Sequence, residues 1–237
     1  MTSRDISPGE HFNRDTPSPK YTSLLKEYKI MHNYSDRMFN GRSLLKFVDI
    51  IQAYLEKNEC QSILDYGCGK GALYTEDFHT ITKEINKPLP EYWNIDLCAM
   101  YDPAYEEHAT LPKGKFDAVI CTDVLEHIPE TDLGWVLREI YSKANKMVFL
   151  NVACFPALKK LKDGSNAHVS IFSTEDWVQF VATESVPFKD LAIYLFADNV
   201  NEEDGFEFIV RGFKIESKPH VIELLGHEPD TIKERKI

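Results

Sequence analysis

The stretch QSILDYGCGKGALY, residues 61–74, decides the fold. A short apolar run carrying one acid, Asp65, leads directly into glycines at alternate positions, Gly67, Gly69 and Gly71. Residues without a Cβ concentrate where a chain must turn tightly or let a ligand approach its backbone. The run therefore predicts a buried strand, the glycines a turn at a helix N-terminus, and the following residues a helix through about Asn86.

Further strands are predicted downstream. Ile95 to Tyr101 forms a second apolar run closed by Asp102-Pro103, Phe116 to Cys121 a third, and residues 145–154 a fourth. Between the last two, TDLGWVLREIYSKA (131–144) places Val136, Leu137, Ile140 and Tyr141 on one helical face. Continuously apolar strands alternating with helices predict a parallel sheet covered on both sides. FSTEDWVQFVATE (172–184) reads as a helix capped by Ser173 or Thr174, and residues 190–198 and 206–216 as a hairpin that closes the sheet antiparallel. Helical spacing over residues 21–58, broken at Gly41, predicts two helices ahead of the first strand. Pro8, Pro17 and Pro19 mark residues 1–20 as an extended, partly mobile arm, and residues 217–237 form a tail with no predicted element.

The expected fold class is thus α/β, a Rossmann-like, doubly wound sheet of the seven-stranded type, mostly parallel with an antiparallel last strand. One domain over 21–216 is expected to comprise a helical lid or cap (21–58), a cofactor-binding core (60–155) and acceptor-side elements with the closing hairpin (156–216).

Composition bounds the function. Of the 237 residues, 38 are acidic and 27 are Lys or Arg, and the net charge of −11 disfavours a broad footprint on a phosphate backbone. The basic cluster LKKLKDG (158–164) is short enough to be a solvated loop, so a nucleic-acid partner is not expected. No apolar run approaches the ~18 residues of a membrane span, and the N-terminus lacks the apolar core of a signal peptide. A cytoplasmic address without membrane contact is expected. Five scattered cysteines, an odd number, read as small buried hydrophobes of a reducing compartment, and no metal centre is expected.

The glycine turn alone also fits a dinucleotide fingerprint if Ala72 takes the last position. Asp65, two residues before the first glycine, would repel a pyrophosphate but suit a positively charged ligand group. No Gly-Lys-Ser/Thr follows, so nucleotide hydrolysis has no support. A nicotinamide enzyme would want an acid about 20 residues past the glycines. Glu91 has that spacing but precedes the second strand.

ILDYGCGKGAL resembles the first motif of the class I S-adenosylmethionine-dependent methyltransferases, and FDAVICTDVLEHIP resembles their fourth-strand segment in a subgroup with Leu-Glu-His. The resemblance covers about residues 60–155. It implies that Asp65, Tyr66, Gly67, Cys68, Gly69 and Gly71 surround the amino-acid end of S-adenosylmethionine, with Thr122 and Asp123 on the pocket wall. Asp102 would hold the ribose hydroxyls, with Asp96 as competitor, because only about 13 residues separate Asp102 from Phe116, too few for the usual intervening helix and strand. His108 to Leu111 would meet the adenine.

Methyl transfer from a sulfonium is an in-line displacement that needs alignment more than a fixed triad. His127 and His168 are the candidate bases, His127 and Glu126 alternatively serving as loop supports. Tyr28, His32 and Tyr34 are candidate lid residues. The segment TDVLEHIP lacks the Asn/Asp-Pro-Pro-aromatic sequence of amino-group DNA methylation, and no Pro-Cys offers a cytosine C5 nucleophile. The expected acceptor is the O or N of a small, saccharide-like molecule. The alternative of another class is a scaffold that binds S-adenosylmethionine without turnover.

Overall fold

The structure, a computed structural model, describes residues 12–79, 84–200, 208–217 and 220–225. Helix α1 (Pro19–His32) starts at Ser18, whose hydroxyl accepts the Tyr21 amide. A left-handed Gly41 then opens a 3₁₀ turn, Arg42–Phe47, that runs into α2 (Val48–Lys57). The break expected at Gly41 is thus a tight turn. Residues 12–18 of the expected mobile arm are pinned: Arg14 forks onto Glu139 and donates to Tyr101 Oη at 2.9 Å, and the Ser18 amide donates to Asp132 Oδ1 at 2.9 Å.

Strand β1 (Ser62–Tyr66) enters the glycine turn. No α-helix follows. The expected helix through Asn86 is replaced, among the described residues, by one 3₁₀ turn (Ala72–Tyr74) and a small hairpin of β2 (Phe78–His79) with β3 (Glu84–Ile85). Leu73, Tyr74, Phe78 and Ile85 are buried against α2, so the apolar residues that suggest a helix fill the core from a hairpin instead. A short α3 (Leu89–Trp93) then leads into β4 (Leu97–Tyr101).

The remaining order follows expectation: β5 (Phe116–Thr122), α4 (Glu130–Lys143), β6 (Ala144–Ala153), α5 (Thr174–Ser185), β7 (Ala192–Val200) and β8 (Phe208–Ser217). The seven-stranded sheet runs β4-β1-β5-β6-β7-β8-β9, parallel from β4 through β7 and antiparallel beyond. Strand β9 (His220–Leu225) corrects the reading of 217–237 as a plain tail: its main chain extends the sheet along β8.

Alternating side chains divide the core. Leu64, Val119, Cys121, Val148 and Leu150 face α4 and α5, while Ile63, Ala118, Ile120, Met147 and Phe149 face α2. Because successive strand side chains point to opposite sides, two buried layers are what make the strands apolar throughout. Cys60, Cys68 and Cys121 are buried and all five cysteines are free thiols. Among the described residues no helix is long and apolar enough to cross a membrane.

Candidate functional site

From β1 the chain reaches β4 on one side and then β5 on the other, so the strand order reverses beside β1. At such a switch point the loops leave in opposite directions and open a crevice at the carboxyl ends of the strands. An open cleft of about 1770 Å³ lies there, lined by the glycine turn, Asp102, Thr122, Asp123, His127 and His168, with α1 and residues 39–46 forming another wall.

The glycine turn is held by its own surroundings. Gly67 and Cys68 donate to the Tyr101 carbonyl at 2.7 and 3.2 Å, and Gly69 donates to Asp102 Oδ2 at 2.9 Å. Lys70 and Ala72 donate to the carbonyls of Phe39 and Asn40 at 2.7 and 3.1 Å, and Gly71 to that of Cys68 at 3.1 Å. All three glycines have positive φ. A Cβ at Gly69 would strike the Phe39 carbonyl, and one at Gly67 would strike Val124. The chain's own loops, more than a ligand, make close approach to the turn here. Phe39 and Asn40 therefore strap the turn from above, which no side-chain motif announces because main-chain oxygens do the work.

Asp102 follows β4 directly. Its Oδ2 takes the Gly69 amide and its Oδ1 the Ala104 amide at 2.8 Å, and two oxygens with four lone pairs keep acceptor capacity toward the cleft. Asp96 is exposed and precedes β4, at the opposite end of the strand. Asp65 is buried and accepts from Tyr74 Oη at 2.9 Å; it is not among the residues lining the cleft. Burial pushes its carboxyl up to about 7, the Tyr74 hydrogen bond opposing and the Asp102 charge adding. Tyr66 lines the cleft and donates to Glu139 at 2.6 Å, whereas Cys68 is buried outside the cleft lining. His108 and Leu111 lie outside the cleft lining too.

On the other side of β1, Asp123 takes a left-handed φ of 59° as the chain leaves β5, and its side chain is exposed. Glu126 is fully buried: its Oε1 accepts the Ala153 amide at 2.9 Å, and its carbonyl accepts Val169 and Ser170 at 2.8 and 3.0 Å. It is a loop anchor tying the end of β6 and residues 165–170 to this turn. These ties bring His168 to His127, with ring centroids 4.9 Å apart. His127 Nδ1 lies 2.9 Å from the Ala167 carbonyl, and His168 Nδ1 lies 2.6 Å from that of Phe155. A carbonyl can only accept, so each ring donates from Nδ1, and the neutral form of such a ring has its lone pair on Nε2. Tyr28 Oη also reaches His127 Nδ1 at 2.9 Å. Burial pushes His127 down to about 4, against the raising charge of Asp123.

Tyr28 and His32 line the cleft, while Tyr34 is exposed outside it. The basic cluster is not wholly solvated, since half-buried Lys159 lies 4.1 Å above the Phe39 ring and lines the cleft. Lys46, ion-paired with buried Asp198, lines the cleft as well. Lys46 carries no sequence signal and Lys159 only that of its basic cluster, because both are placed by contacts between distant segments.

The parallel sheet with a glycine turn, an acid after the neighbouring strand and a cleft at the switch point defines a Rossmann-like α/β fold. The family model for a methyltransferase domain matches residues 39–183, more than half of the chain, and the protein belongs to that family. It is also similar to an uncharacterized protein of Methanocaldococcus jannaschii, 26% identical over 129 residues, which cover 52% of this chain and 53% of that protein. The chain thus spans about half the length of the curated relative it matches.

Proposed function

We propose that the protein transfers a methyl group from S-adenosylmethionine to an oxygen or nitrogen of a small, saccharide-like acceptor. The observation that carries this reading is the two-sided cleft of a methyltransferase-family chain. The glycine turn and Asp102 stand on one side, and Asp123, His127 and His168 on the other. A cleft of about 1770 Å³ is roomy enough for a cofactor and a small acceptor side by side. The internal hydrogen bonds of the glycine turn support a cofactor without phosphates. A pyrophosphate needs free amides at a helix N-terminus. Here the amides from Gly67 to Ala72 are each taken by protein acceptors, and a 3₁₀ turn stands in place of the helix.

In this reading Asp102 accepts the ribose hydroxyls, Tyr66, Gly67 and Gly69 border the amino-acid end, and Thr122 and Asp123 flank the sulfonium. His127 and His168 present Nε2 lone pairs to the acceptor, able to take a proton or to hold an electrophile. The net charge of −11 supports a small acceptor over a nucleic acid.

Calorimetry tests the reading. S-adenosylmethionine and S-adenosylhomocysteine are each expected to bind one per chain, and Asp102→Ala to weaken both by on the order of 1–3 kcal/mol, with Asp96→Ala neutral. Absence of binding to the wild-type protein refutes the proposal. An unchanged Asp102→Ala with a weakened Asp96→Ala reassigns the ribose.

A further inference from the structure

One oxygen of Asp123 and one ring nitrogen each of His127 and His168 lie within 4.8 Å of one another. We infer that these residues form a divalent transition-metal site whose open positions face the methyl acceptor. This departs from the sequence expectation of no metal.

Three observations carry the inference. First, both imidazoles are prepared as ligands. Each is held through Nδ1 by a main-chain carbonyl, Ala167 for His127 and Phe155 for His168, which fixes the tautomer and aims the Nε2 lone pair. Metal-binding histidines are held in this way, by an outer hydrogen bond that orients the ring and strengthens the donor. Second, the donor set is two neutral nitrogens and one carboxylate. That combination suits manganese, iron, cobalt or zinc better than magnesium or calcium, which favour oxygen alone. Third, Glu126, in the same turn, is fully buried and its Oε2 has no hydrogen-bond partner. A buried side-chain oxygen left without a partner calls for an explanation, and an ion with its bound water beside His127 is one. Lys159, whose ammonium is held over Phe39, feels the charge of Asp123.

The geometry needs a small closure. Two donors at about 2.1 Å from one ion can be no more than about 4.2 Å apart. Asp123 is the exposed member of the three, so its carboxylate has room to move toward the histidines. With three protein ligands, positions remain for oxygen atoms from the cleft. Resting on the methyltransferase reading, this favours hydroxyl-bearing acceptors bound through oxygen.

The full chain, stripped with chelator, would be dialysed against Mn²⁺ or Zn²⁺ alone. One tightly held equivalent per chain is expected, weakened at least tenfold in His127→Ala, His168→Ala and the conservative Asp123→Asn. Circular dichroism melts identify any variant that fails to fold, and Asp123→Asn then decides, because the exposed carboxylate supports no packing. Bound Mn²⁺ is expected to enhance water-proton relaxation, reporting exchangeable water at open positions. No saturable binding of either ion, or equal binding in the folded variants, overturns the site. Binding without relaxation enhancement overturns its open positions. S-adenosylmethionine calorimetry on the wild-type chain is independent of these readouts. Metal binding without cofactor binding sinks the methyltransferase reading alone, and the reverse sinks the metal site alone.

Discussion

Gly69→Ala is expected to destabilise the protein by about 3 kcal/mol, lowering the melting temperature by roughly 6–12 °C. Two costs combine. The residue has a φ of 59°, a left-handed conformation that costs a residue with a Cβ about 1–2 kcal/mol. The new methyl would also strike the Phe39 carbonyl, so residues 39 and 40 must retreat and release the Lys70 and Ala72 amides, at about 1 kcal/mol each. Gly114→Ala separates the two costs. Its φ is 84°, but nothing lies within 4 Å of the added Cβ, so only the conformational cost is expected. Equal thermal shifts for the two variants would show that the strap does not bear on the turn.

Asp65→Asn is expected to change the pH dependence of stability. The folded carboxyl titrates at about 7, raised chiefly by burial, against 3.8 for the unreacted side chain. The folded state therefore binds the proton more tightly than the unfolded state. Its stabilising contribution is complete below about pH 4 and is lost as pH rises through about 7, by up to about 4 kcal/mol. Asparagine keeps an acceptor for Tyr74 and cannot ionise. Relative to the wild type, the variant should gain stability between pH 5 and pH 8. His127, lowered to about 4, contributes the opposite slope, but equally in both proteins, so it cancels from the difference. Urea unfolding of both proteins at the two pH values measures this. A difference that does not move with pH would show that Asp65 ionises in the ordinary range.

The parallel core was legible because each strand is buried on two faces and must be apolar throughout. Phe116–Thr122 and Ala144–Ala153 meet that condition with few exceptions, and α4 and α5 show the helical spacing that covers one face. The segment after the glycines was not legible. Leu73, Tyr74, Phe78 and Ile85 carry enough apolar character for a helix, yet the pairing of Phe78 with Ile85 fills the same space. Strand β9 needs β8 as a template, so its own residues give little signal. At the site, the carboxyl-end positions of Asp102 and Asp123 followed from strand endings. The meeting of His127 with His168 did not, because it depends on the buried Glu126 carbonyl and carboxylate binding two distant segments. Asp65 was expected at the amino-acid end of the cofactor, but its carboxylate accepts from Tyr74 outside the cleft lining.

The strap over the glycine turn also gives the site a clock. Lys70 and Ala72 place their amide hydrogens on Phe39 and Asn40, outside any helix or sheet ladder. Exchange of these two hydrogens with solvent requires only that residues 39 and 40 lift, not that the sheet unfold. Their deuterium uptake thus times how often the wall over the turn opens, and a ligand that closes the cleft should slow those two positions while the amides of β5 and β6 keep their own pace.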